Sequence, residues 1–163
     1  DTSGSMSGMR EQVAKALVLE AARTAHAERR DCLLLAYGST GEVLEHVLDL
    51  SPDGITQLLD FLAQSFGGGT DTAGVLSHVL NRLTSGAWVK ADVMLVSDGE
   101  WWLPTHVVTR VGEAQAAGHR FHGVQVGGGD GLSSICDPVH RFADWQLRAQ
   151  STIRVPTGTV VTS

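Results

Sequence analysis

Cationic residues are scarce in this chain. Lys and Arg together number 12 against 18 Asp and Glu, a formal net charge of −6. Meeting phosphates needs a basic surface, so this balance argues against nucleic acid as the main partner. An acidic balance by itself signals only solubility. Cysteine is nearly absent, and its two copies, Cys32 and Cys136, stand far apart. The framework of a small disulfide-rich secreted domain is therefore missing. Cys32 opens an apolar run and reads as a small buried hydrophobe. No stretch is long and apolar enough to span a membrane, and no secretory leader is visible. The chain does not open on Met and is expected to be part of a longer protein.

What is present suits one domain with a sizeable core: 163 residues, 42% of them apolar, and 19 glycines. Residues 9–30 predict a helix, with Val13, Ala16, Leu17, Ala21 and Ala25 at helical spacing. Val18 and Leu19 widen its apolar surface and predict burial on much of its girth. Cys32 to Tyr37 is a continuous apolar run, the pattern of a strand covered on both faces. Residues 42–50 predict a strand at an edge. Ser51-Pro52-Asp53-Gly54 is turn chemistry. Ile55, Leu58, Leu59, Leu62 and Phe66 then mark an amphipathic helix. A second follows with Leu76, Val79, Leu80 and Leu83 on one face. Asp92 to Ser97 is the next strand, Pro104 suits the first turn of another helix, and Phe121 to Val126 is a further strand. Residues 137–144 add a short last one. Strands alternating with helices predict an α/β fold with a doubly wound, mostly parallel sheet flanked by helices. Such sheets bind ligands at the carboxyl ends of their strands.

Three stretches carry the chemistry. Asp1-Thr2-Ser3-Gly4-Ser5-Met6 sets a carboxylate and two hydroxyls on alternate residues, with a glycine for a sharp turn. Gly67-Gly68-Gly69-Thr70-Asp71 is a glycine loop delivering a hydroxyl. Ser97-Asp98-Gly99 places an acid at the end of an apolar strand. A hard divalent cation takes oxygen ligands of this kind. The competing reading makes Ser3 and Ser5 caps of the next helix and Thr70 the cap of a later one. Caps alone need no acid at a strand end.

This D-x-S-x-S, then Thr after glycines, then an acid after a strand, resembles the metal-ion-dependent adhesion site (MIDAS) of von Willebrand factor type A (VWA) domains, over residues 1–144. Residues 145–163 then form a C-terminal tail whose Thr- and Val-rich end has the composition of a strand. The resemblance implies a Rossmann-like fold and a Mg²⁺ site, with Mn²⁺ or Ca²⁺ as other occupants. It makes Ser3, Ser5 and Thr70 direct hydroxyl ligands and lets Asp1 and Asp98 act through waters. One position stays open for an acidic side chain of a partner. VWA domains place a central strand ahead of D-x-S-x-S, so the first central strand is expected to be missing here. The α-amino group of Asp1 is then expected close to the cation, weakening its hold.

Four further tracts are similar to the VWA domain of ViaA and CoxE-like bacterial proteins: Phe66 to Asp71, Trp102-Leu103-Pro104, His119 to Val124, and His140-Arg141-Phe142. That resemblance implies a cytoplasmic, non-catalytic adaptor working with a hexameric AAA+ ATPase of the MoxR type and its client proteins, in protein maturation or stress handling. A metal-dependent hydrolase is the alternative; by position its general base would be Asp71, Glu100 or His106. An extracellular adhesion module is the third reading. Gly127 to Leu132 has only the start of a dinucleotide fingerprint, with Leu132 in place of the third glycine. His119 and His122 have no Cys or acid cluster to make a zinc site. Trp101 and Trp102, just past Asp98, suit either partner anchoring or covering the sheet's end.

Overall fold

The computed structural model describes residues 1–86 and 88–143; the tail 145–163 and its expected strand lie outside the described residues. A 3₁₀ turn at Gly4–Met6 leads into α1 (Met9–Ala27). Then come β1 (Leu33–Tyr37), β2 (Val43–Val47), α2 (Pro52–Ala63), α3 (Thr72–Thr84), β3 (Asp92–Ser97), α4 (Thr105–Ala116) and β4 (Arg120–Val126). A second 3₁₀ turn at Gly131–Ser134 precedes β5 (Val139–Phe142).

The strands form two groups. β3, β4 and β5 make a parallel sheet in that order, with Asp92 opposite Arg120 and Ser97 opposite Gln125. β1 and β2 make an antiparallel hairpin, Leu33 opposite Val47 and Tyr37 opposite Val43. Among the described residues β1 pairs only with β2, and β3 pairs with no strand but β4. Between the facing edges of β1 and β3 runs an open cleft of about 640 Å³, walled by Leu33, Leu35, Val93 and Leu95 and by Leu17 and Ala21 of α1. At the amino end of the strands Arg30 reaches across it to Asp92 at 2.7 Å; the described backbone bridges it at the carboxyl end. There Thr2 N–H donates to Tyr37 O at 2.8 Å, and the α-amino group of Asp1 donates to Val96 O at 3.1 Å. The cleft lies where the sequence leads one to expect a missing central strand.

Helices cover both faces, as alternation along the strands requires. On one side Leu76, Leu80 and Leu83 of α3 and Val107 and Val111 of α4 pack on Leu95 and Phe121. On the other, Met6, Ala14 and Val18 meet Ala36, Phe61, Phe66 and Val126. Local chemistry sets the helix starts. Ser51 Oγ accepts from Gly54 N–H at 3.0 Å with Pro52 following, and Asp71 Oδ1 accepts from Gly74 N–H at 2.9 Å. Pro104 is the N-cap of α4, one place ahead of the expected first turn.

Two expectations about helix faces need correction. Only Ala14 and Val18 of α1 are buried; Leu19 and Ala16 face outward. The remaining apolar stripe, including Leu17 and Ala21, faces the open cleft and so meets few atoms. In α2 the buried side is Gly54 and Phe61, while Ile55 and Leu59 are exposed, at 44% and 59%.

Candidate metal centre

All three oxygen-bearing stretches reach the carboxyl rim of the strands, around the residues that bridge the cleft. The loop 67–69 is laced to the first stretch by its backbone. Gly67 N–H donates to Thr2 O at 2.9 Å, and Gly4 N–H donates to Gly68 O at 3.1 Å. Asp71 N–H donates to Gly38 O at 2.7 Å, tying the end of that loop to β1. Thr70 therefore sits on a loop fixed at both sides, and it is exposed.

Within the first stretch, Asp1 bends back on its own chain. Its Oδ1 accepts from Ser3 N–H at 3.0 Å, and its Oδ2 accepts from Ser97 Oγ at 2.6 Å. Ser3 and Ser5 share a hydrogen bond between hydroxyls at 3.1 Å. Neither is a helix cap. Ser3 flanks the 3₁₀ turn without a side-chain bond to it, and the N-cap of α1 is Gly8. Thr70 is no cap either, since Asp71 takes that role for α3. The capping reading therefore explains none of the three hydroxyls.

Asp98 is 1% exposed at the end of β3. Its Oδ1 accepts from Glu100 N–H at 3.1 Å, whereas Oδ2 is buried with no hydrogen-bond partner. A buried carboxylate oxygen left so is costly unless a cation or water completes it. Arg10 Nη1 stands 3.5 Å away, at ion-pair range. The donor set of hydroxyls and two acids, with one acid oxygen that makes no hydrogen bond, fits a hard divalent cation. Among the described residues no group of three or more His, Cys, Asp and Glu gathers anywhere, this rim included, so any cation here would be held mainly by hydroxyls.

Ser97 is the hub behind these groups. Besides Asp1, its Oγ accepts from Trp101 Nε1 at 2.9 Å and from Gly99 N–H at 3.2 Å. Trp101 thus closes the sheet's end, while Trp102 is 80% exposed beside it. Tyr37, at the tip of β1, is buried near Thr72 and Ser97. Burial pushes its phenol up to about 12 against the opposing pull of those hydroxyls, though none meets it at hydrogen-bonding geometry. Burial likewise drives the α-amino group of Asp1 down to about 5, with the Asp98 charge opposing. At neutral pH that amine is uncharged and sets no full positive charge against a cation.

Gly127 to Gly131 is a buttress for the Asp98 turn. Gly129 N–H donates to Asp98 O and Gly131 N–H to Gly99 O, each at 3.0 Å. A side chain on Gly129 would overlap the Gly99 backbone, which accounts for glycine there. The segment runs into a four-residue 3₁₀ turn, not the helix a dinucleotide fingerprint needs. His119 Nδ1 accepts from Ala91 N–H at 3.0 Å, a structural bond. Cys136 and Cys32 are free thiols on opposite sides of the sheet. Of the candidate bases, Asp71 is spent as a cap, and Glu100 and His106 are exposed.

Sequence reasoning missed Ser97 as a hub, Tyr37, Thr72 and Arg10. Ser97 stood in the quoted Ser97-Asp98-Gly99, but nothing in that triplet separates a hub from a bystander. Arg10 carries no local signal at all; only the turn at Gly4–Met6 brings it back over Ser5.

Fold and rim together define a class: an α/β domain whose loops gather hydroxyl and carboxylate oxygens where the strands end. Residues 1–100 match the family model of the von Willebrand factor type A domain. The match spans more than half of the 163 residues, and the chain belongs to that family. No helix among the described residues is long and apolar enough to cross a membrane.

Proposed function

We propose that this chain is a metal-dependent protein-interaction module without catalysis of its own, an adaptor for a MoxR-type AAA+ ATPase of the kind served by ViaA and CoxE-like proteins. The observation that carries the metal reading is Asp98 Oδ2, buried with the Arg10 ion pair but no hydrogen bond, on the same rim as hydroxyls that cap no helix. Ser3, Ser5 and Thr70 would hold the cation directly, with Asp1 and Asp98 orienting its waters. When bound, the cation supplies an open position for a carboxylate from a partner. Neutral direct ligands leave it most of its charge for that purpose. The protein's own part is orientation. Ser97 fixes the Asp1 carboxylate, Glu100 N–H fixes Asp98 Oδ1, and the glycine buttress fixes the turn. The four tracts similar to ViaA and CoxE-like proteins support the ATPase as partner and a cytoplasmic setting.

The test is Asp98→Ala. The variant should keep its fold, by far-ultraviolet circular dichroism, and lose Mg²⁺-dependent capture of the ATPase by at least about tenfold, the usual scale for truncating a buried charged contact. Capture by the variant at wild-type strength would defeat the metal mechanism. Mg²⁺-dependent turnover of a phosphoester panel would instead establish the hydrolase.

A further inference from the structure

Among the described residues Arg10 is the cationic side chain set against the candidate ligands, and neither the metal reading nor the family match gives it a task. Its Nη1 donates to Ser5 O at 3.0 Å and stands 3.5 Å from Asp98 Oδ2. Its guanidinium also lies close against Gly127 of the glycine buttress. A Cβ at Gly127 would come within 3.0 Å of Arg10 Cζ and 3.2 Å of Asp98 Cβ, at a φ of +136° that side chains rarely adopt. Three loops therefore hold this one group in place. Its side chain is only 19% exposed and that of Asp98 2%, so solvent screens the pair weakly.

We infer that Arg10 is the built-in counter-cation of the site, a positioning residue that holds the Asp98 carboxylate in place and lowers the affinity for the divalent ion. The inference rests on the metal reading above. Counting side chains alone, Asp1, Asp98 and Arg10 sum to −1, and a divalent ion brings the loaded site to +1. Without Arg10 the empty site carries −2 and the loaded site is neutral. Arg10 therefore weakens the cation's hold but leaves net positive charge facing an incoming carboxylate. A group that merely braced the loops would act with the opposite sign, because removing a brace loosens the ligands.

That opposition of sign is the test. Mn²⁺ binding is measured by the paramagnetic resonance signal of the free ion for wild type, Asp98→Ala, Arg10→Gln, Arg10→Met and Arg10→Lys. Arg10→Gln should bind Mn²⁺ about three- to tenfold more tightly, the effect of one partly screened charge. Arg10→Met, which keeps an aliphatic stem against Gly127, should tighten equally. Arg10→Lys keeps the charge and should stay near wild type. If wild type binds Mn²⁺, Asp98→Ala does not, and both neutral variants bind no better than wild type, Arg10 is a brace and the inference falls alone. If wild type binds no Mn²⁺, the metal reading falls and takes the inference with it.

Discussion

Ser97 shows how much a single hydroxyl can organise. It donates to Asp1 Oδ2 and accepts from the Trp101 indole and from Gly99 N–H, and it is fully buried. Ser97→Ala leaves a carboxylate oxygen and an indole N–H inside the protein with one partner fewer each. Unmade bonds of this kind cost about 1–3 kcal/mol. A urea titration of the variant should show that loss, and Mn²⁺ binding should weaken because Asp1 is no longer oriented. Unchanged stability together with unchanged Mn²⁺ affinity would make the hub incidental. At this scale the sequence revealed the residues that bear oxygen and concealed those that aim it. Asp1, Ser3, Ser5, Thr70 and Asp98 advertise themselves because their types and spacing suit a hard cation. Arg10, Tyr37 and Thr72 are ordinary residues in ordinary elements. They matter only through contacts made across the fold, such as Arg10 to Asp98, which no local pattern encodes.

Among the elements, periodicity located helices and strands well and their buried sides less well. The strand expected at Phe121 to Val126 is β4, Arg120–Val126, and the short last strand is β5, Val139–Phe142. In and just after α2 the spacing placed Leu58, Leu62 and Phe66 rightly against the core, while Ile55 and Leu59 in the same series stay exposed. The difference is measurable. Phe121 is 1% exposed between α3, α4 and the 3₁₀ turn, so Phe121→Ala should cost about 3–5 kcal/mol. Leu59, 59% exposed, should change stability by no more than about 0.5 kcal/mol on replacement by Ala. Denaturation midpoints of the two variants decide this, and equal losses would contradict the packing described. Asp71 illustrates a feature read one residue off. The competing reading put the cap at Thr70, and the neighbouring acid Asp71 took it, leaving Thr70 free of that duty.

For the whole molecule, the cleft between β1 and β3 is the controlling feature. Among the described residues two sheet edges face each other with no strand between them; Asp1 and Thr2 cross the gap at its carboxyl end and the Arg30–Asp92 ion pair at its amino end. Edges left so are costly and invite pairing. Both edge strands point their carboxyl ends at Asp1, so a segment placed ahead of Asp1 would run between them parallel to each. β3 is 6 residues long, which sets the length needed. An apolar, β-branched extension of that length should raise the melting temperature, since it buries the Leu33, Leu35 and Val93 walls and supplies the missing ladder. It should also change the response to acid. In the unextended chain the Asp1 amine takes its proton near pH 8 when unfolded and near 5 when folded. Between those values unfolding binds a proton. Stability is therefore full above pH 8 and falls as the pH drops toward 5, by at most about 1.4 kcal/mol per unit. The extension turns the amine into an amide that still donates to Val96 O, so this slope should vanish while other acid effects remain. Melting curves at pH 5, 6, 7 and 8 with and without the extension measure both effects. If the extended chain melts no higher and keeps the same slope, the cleft is not a strand site, and the two halves of the sheet are complete as they stand.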